Sequence, residues 1–253
     1  MSKHELRILI AGESWVTHSI HVKGVDSFTT SGYEEGVGPL REALEAVGHS
    51  VTFQPNHVAM AHFPHSGDAI NQFDVVILSD IGSNTLLLHP DVFAKSLVFP
   101  NRLELVADYV RAGGGLLMVG GYLSFQGIEG KAAYHGTPIE DVLPVEIQDR
   151  DDRVETPEGA TPRVLLEAHP ALQGTGGNWP IILGYNRLRA RPEAEVLVEC
   201  QGDPLIALRT VEAGRSAVFA SDCGPHWAPL PFIGWRGYRP MWQGLVNWVS
   251  KRL

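Results

Sequence analysis

The chain has 253 residues, 44% of them hydrophobic and 19% charged, with a net charge of −9. That length and composition fit one large α/β core and exclude an intrinsically disordered chain. The negative balance, with no basic run to neutralise phosphates, argues against nucleic acid as a partner. The opening Met1-Ser-Lys-His4 carries no apolar signal core. No apolar stretch approaches the roughly 20 residues of a membrane span. Two cysteines, Cys200 and Cys223, are too few for a disulfide framework. The expectation is a cytoplasmic protein with reduced thiols and no membrane partner.

Taken in chain order, residues 6–11 form an apolar run ended by Gly12, suited to a central strand buried on both faces. Residues 38–47 place Leu40, Ala43, Leu44 and Val47 at helical spacing, with Pro39 at the start and Gly48 just past the end. Residues 50–54 and 73–79 read as strands. Asn101 is placed to cap a helix over 102–111 that Gly113-Gly-Gly115 closes, and 116–119 is a further strand. Residues 147–162 are polar and rich in Asp, Glu and Pro, and read as an exposed excursion. Strands follow at 164–166 and 194–199. Residues 205–209 and 216–220 flank Glu212-Ala-Gly-Arg215 and predict a β-hairpin in which Gly214 supplies the positive φ. An amphipathic helix over 239–251 closes the chain. This alternation predicts an α/β fold, a parallel sheet covered by helices on both faces, in a single domain over 1–253.

In an open parallel sheet, ligands bind beyond the carboxyl ends of the strands, where strand order reverses. Four strand tips are therefore candidates for one cleft. The first carries Glu13, Ser14, Trp15 and His18, with His21 beyond. The second carries Asp80, Gly82, Ser83 and Asn84, the third Gly121, Tyr122, Ser124 and Gln126, and the last Asp222, Cys223, His226 and Trp227. Each has a plainer role open to it: Glu13 and Asp80 as helix caps, the histidines as surface residues. Asp222 and His226 are spaced to share a hydrogen bond across a turn. A protonated His226 would lower the pKa of Cys223, although a cysteine after a buried strand more often only packs. His57, His62 and His65, like His18 and His21, lack a zinc-site spacing. Gly12 lacks the G-x-G-x-x-G continuation and no Walker G-K-[ST] exists, so neither a metal nor another cofactor is expected.

The segment 116–127 reads as a strand ending in two glycines and a sharp turn, a geometry that can present one side chain, here Tyr122, at the sheet edge. Val119-Gly-Gly-Tyr-Leu-Ser-Phe-Gln126 resembles the nucleophile elbow of class I glutamine amidotransferases, roughly G-x-C-x-G-x-Q. Gly120 falls on the first glycine, Tyr122 on the cysteine, Ser124 on the second glycine and Gln126 on the glutamine. Residues 217–226 fall where that family carries its catalytic histidine, and His169-Pro-Ala-Leu-Gln-Gly174 looks like the ThuA-like branch. Over nearly its whole length the chain is similar to a bacterial family of glutamine amidotransferase-like cytoplasmic proteins, on Gly12-Glu-Ser-Trp15, Ser79-Asp-Ile-Gly-Ser-Asn84, the elbow and Ser221–Trp227. The resemblance implies a flavodoxin-like three-layer α/β/α sandwich with a mostly parallel sheet, and no established substrate.

The departure from that family decides the chemistry expected. A phenol with a pKa near 10 is a poor nucleophile at pH 7, so no glutaminase activity is expected. One reading is a protein that binds a small polar metabolite, with Tyr122, Ser124 and Gln126 as hydrogen-bonding groups. A second is a hydrolase whose nucleophile has moved to Cys223 or Ser124, served by His226. A third is a structural or interaction protein, with Trp235 a candidate anchor for a homo-oligomer.

Overall fold

The computed structural model describes residues 5–253; Met1-Ser-Lys-His4 lies outside them. The chain opens with β1 (Arg7–Gly12), which runs into a hairpin of β2 (Ser14–Lys23) and β3 (Asp26–Glu35). Helix α1 (Gly38–Glu45) leads to β4 (Ser50–Gln54), and α2 (Asn56–His62) and α3 (Gly67–Ile70) lead to β5 (Val75–Ser79). Then come α4 (Ser83–Leu87), α5 (Pro90–Lys95), α6 (Arg102–Arg111) and β6 (Gly115–Val119). After α7 (Pro138–Val142) the chain is mostly β: β7 (Val145–Glu146), β8 (Arg153–Ala160), β9 (Arg163–Val164), β10 (Ile182–Asn186), β11 (Arg189–Ala190), β12 (Glu195–Cys200), β13 (Asp203–Val211) and β14 (Gly214–Phe219). Helices α8 (Leu230–Ile233) and α9 (Tyr238–Val249) end it.

One eight-stranded sheet has the order β4-β1-β5-β6-β14-β13-β12-β9. The strands β4, β1, β5, β6 and β14 are parallel, and β13, β12 and β9 extend them antiparallel. Renumbered by sequence, the parallel part has the 2-1-3-4-5 order of the flavodoxin-like fold. The connection from β1 steps to one side and the next steps back across it. Right-handed crossovers therefore send α1 and α2 to opposite faces. Helix α9 packs with α1, β6 and β14, while α2, α4 and α6 pack in succession on the other face. The strands β5 and β6 are buried along their whole length, as layers of helix on both faces require.

The predicted helix at 102–111 is present, and Asn101 Oδ1 accepts the N–H groups of Leu103 and Glu104. Three expectations need correction. Residues 14–18 and His21, read as a strand tip, belong to the paired strands β2 and β3, in which polar alternation with Val16, Ile20 and Val22 is a strand pattern with no core beneath it. The stretch 147–162 is no simple excursion: β8 pairs with β10, and Asp152 and Thr156 are buried. In the late hairpin the positive φ belongs to Glu212, at 50°. Gly214 is required for a different reason, since an added Cβ would sit 1.9 Å from the Val110 carbonyl oxygen of α6.

Replacing Asn101 by Ala removes the α6 cap and is expected to cost about 1 kcal/mol of stability, read from urea unfolding with an unchanged m-value.

Candidate functional site

The strand order reverses at β1, whose neighbours β4 and β5 are the next two strands of this sheet, so the crevice opens between the tips of β1 and β5. These tips touch. Gly12 has φ 114°, and a Cβ there would lie 1.8 Å from the Ser79 carbonyl oxygen. Glu13 N–H donates to that same oxygen at 2.8 Å. Glu13 (φ 46°) and Asp80 (φ 45°) both sit in the left-handed region, a costly conformation for residues other than glycine. The two turns aim both carboxyl groups into one cleft of about 550 Å³, lined by Glu13, Trp15, Asp80, Tyr122, Leu123, Ile128, Asp222, Pro225 and His226.

The cleft floor is acidic and buried. Ser79 Oγ donates to Glu13 Oε2 at 2.5 Å and lies 3.8 Å from Cys223 Sγ. Burial, then the negative charge of Asp222 and Asp80, raises Glu13 well above the ordinary carboxylate range. Burial likewise raises Asp80 from 3.8 to about 6, against the pull of the Leu123 N–H. His226 Nδ1 stands 3.7 Å from Asp222 Oδ2, an ion-pair distance longer than the hydrogen bond expected from the sequence. Asp222 is the chief cause holding His226 above its ordinary value. Cys223 is fully buried beneath the cleft, and burial, then Glu13 and Asp222, raises its thiol well above the ordinary range. That is the reverse of the thiolate-favouring surroundings a reactive cysteine needs.

One wall is aromatic. The Tyr122 ring meets His226 edge-on at 4.3 Å and Trp227 at 5.6 Å, and the Arg153 guanidinium lies 4.8 Å from its centre. Tyr122 donates its hydroxyl to Glu155 Oε1 at 2.9 Å, and Trp227 Nε1 donates to Glu155 Oε2 at 3.0 Å. One carboxylate thus fixes both rings. Burial and Glu155 hold the phenol above its ordinary pKa.

The turn after β6 is fastened at nearly every N–H. Gly121 N–H donates to Asn186 Oδ1, Leu123 N–H to Asp80 Oδ1 at 2.6 Å, and Gln126 and Gly127 N–H to the two oxygens of Asp152. Asn186 Nδ2 in turn donates to Asp152. Positive φ in this turn falls on Gly121 (147°) and, at a cost, on Phe125 (53°); Tyr122 is not among the described residues with positive φ. A Cβ at Gly121 would stand 2.8 Å from Asp80 Oδ1, so glycine is what lets Asp80 reach over the turn. In hydrolases built on a nucleophile elbow, the N–H after the nucleophile stabilises the oxyanion. Here that position, Leu123, is occupied by Asp80.

Of the candidates read from the sequence, Glu13, Trp15, Asp80, Tyr122, Asp222 and His226 line this cleft. The others sit elsewhere. His18 bonds Ser31 on the exposed ribbon, and His21 stacks on Phe28 there. Ser14 accepts from Asn56 N–H behind the β1 tip. Gly82 leads into α4, where Ser83 donates to the Ala133 carbonyl, and Asn84 lies in the same helix. Ser124 is buried, accepts from Asp80 N–H and donates to the Val119 carbonyl, so it braces the turn. Gln126 Oε1 accepts from His135 N–H. Trp235 packs on Trp179 and Phe232 within its own chain. Sequence reading missed Asn186, Asp152, Arg153 and Glu155, which come from β10 and from the run taken for an excursion. Among the described residues, Glu13, Asp222 and Cys223 form the one group whose donor atoms, all within 4.8 Å of one another, could hold a metal ion.

Residues 7–251 match the family described as "Putative glutamine amidotransferase", and the chain belongs to it. Two cytoplasmic proteins from Salmonella typhimurium are 45% and 44% identical to it, with TM-scores of 0.94 and 0.93; each comparison covers 96% of this chain and 99% of the other. A ThuA-like protein from Parabacteroides merdae shares the fold at 11% identity and TM-score 0.60, covering 98% of this chain and 91% of that one. No curated protein matches the chain. No helix among the described residues is long and apolar enough to cross a membrane.

Asp80, Glu13 and His226 all hold protons in the folded state that the unfolded chain releases, so stability falls as pH rises. For Asp80 the fall runs from near 3.8 to somewhat above 6. Asp80→Asn keeps an acceptor for Leu123 N–H and removes that part. Its advantage over the wild type is expected to grow by up to about 3 kcal/mol between pH 4 and pH 8 in urea titrations.

Proposed function

We propose that the chain uses the amidotransferase fold as a binding protein for a small polar molecule and does not hydrolyse glutamine. The observation that carries this is the Asp80–Leu123 hydrogen bond, together with Tyr122 at the nucleophile position. Acyl transfer by this route needs a nucleophile and a free N–H donor for the oxyanion. A phenol held above its ordinary pKa supplies the first poorly, and a carboxylate fills the second. The relocated-nucleophile reading is weaker: the Cys223 thiol is buried and held neutral, and Ser124 already uses its hydroxyl twice.

The lining favours a ligand that donates hydrogen bonds. Glu13, Asp80 and Asp222 offer carboxyl oxygens, while Trp15 and Tyr122 offer ring faces. A polyol, sugar or amine fits that set, and an organic acid would meet like charge. A cytoplasmic location is part of this reading, supported by the likeness to two Salmonella proteins described as cytoplasmic.

Ammonia release from L-glutamine is expected to stay at background for the wild type and for Tyr122→Cys, since Asp80 still covers Leu123. Turnover by either protein sinks the proposal. In a thermal-shift panel of sugars, polyols, amines and organic acids, hits are expected among the first three classes. Asp80→Asn should weaken the best hit about 10- to 100-fold by calorimetry, the effect of removing a charged acceptor.

A further inference from the structure

Residues 15–35 are exposed without interruption, twenty-one in a row, although they make two well-paired ten-residue strands. At about 3.3 Å per residue the ribbon is roughly 33 Å long. Among the described residues it pairs with no other strand. A two-stranded ribbon alone in water is marginal and needs another layer to be stable.

Its two faces differ. The cross-strand pairs Val16–Tyr33, His18–Ser31, Ile20–Thr29 and Val22–Ser27 share one face. From Val16 to Val22 and from Ser27 to Tyr33 that face has no Asp, Glu, Lys or Arg; Glu35, paired with Ser14 and bonded by the Tyr33 hydroxyl, stands at its root, and Ile20 and Val22 are 74% and 70% exposed on it. The other face carries Lys23, Asp26 and Glu34. Exposed apolar side chains in a continuous file mark an interaction surface.

We propose that the β2–β3 ribbon is a dimerisation arm whose face bearing Val16, Ile20 and Val22 packs on the same face of a second copy, antiparallel about a two-fold axis. Three features select that occupant. The stretch beyond Glu35 has no charge for a foreign charged partner to recognise, whereas self-pairing needs none. The chain carries a net charge of −9, so two copies repel everywhere except across an uncharged surface. An isologous contact also makes each arm the other's missing layer. The arm springs from Glu13, and its first exposed residue, Trp15, walls the cleft, so dimerisation fixes one side of the binding site.

Sedimentation equilibrium on the full chain tests this. The wild type is expected at twice the chain mass at micromolar concentration. Ile20→Glu/Val22→Glu should weaken dimerisation at least about 100-fold while leaving the urea transition of the monomer unchanged, because both sites are exposed in one copy. Lys23→Glu, on the other face, should leave the dimer intact. Under mild oxidation Thr29→Cys should cross-link into dimers and Lys23→Cys should not. A wild-type monomer at 100 μM, a dimer that survives the double variant, or equal cross-linking at both positions overturns the proposal.

Discussion

The close approach of β1 to β5 is the constraint from which the site follows. With no side chain at Gly12, the Ser79 carbonyl reaches Glu13 N–H across the gap a Cβ would fill. Any larger residue would push the two tips apart or bend the chain out of its left-handed turn. Three consequences depend on that contact. Glu13 turns inward, where Ser79 Oγ holds its carboxyl group. The chain leaves outward as the ribbon, because Ser14 is buried against Asn56 and the next twenty-one residues are not. And β5 ends where Asp80 can cross to the turn after β6.

How much of this was legible in the sequence follows from the range of the forces. Short apolar runs, a proline-started helix and an Asn cap are local signals, and they located the parallel core, α1 and α6. The resemblance at the elbow likewise pointed to the correct turn. What failed was nonlocal. The strands β2 and β3 look like a polar loop because nothing in their own sequence says that the pattern lacks a core. Asp152 looks like a solvated acid because its partners, Gln126, Gly127 and Asn186, are 25 to 34 positions away in sequence. The Gly214 error has the same origin: it was read as a turn residue, yet what demands glycine is the Val110 carbonyl of a helix distant in sequence.

The likeness to an active-site elbow is therefore one of path and not of polarity. In a working elbow, backbone N–H groups point unpaired toward the substrate, so the cleft offers donors to a developing negative charge. In this chain the N–H groups of Gly121, Leu123, Gln126 and Gly127 are consumed by Asn186, Asp80 and Asp152. The groups that remain turned to the cleft are side chains: the carboxyl groups of Glu13, Asp80 and Asp222, the His226 imidazole and the rings of Trp15 and Tyr122.

That reversal explains why the replacement at position 122 belongs with residues far from it. A tyrosine there would be a bulky intruder on a free elbow. Here its hydroxyl reaches Glu155, which also holds Trp227, and Trp227 in turn packs so tightly on Gly184 that a Cβ would fall 2.3 Å from its Nε1. Replacing Tyr122 by cysteine would leave Glu155 with an unfilled lone pair and Arg153 without its ring, and would still not uncover the Leu123 N–H. Tyr122 at the elbow and Asp80 on the Leu123 N–H are thus two parts of one wall, and a cysteine at position 122 would alter only the first.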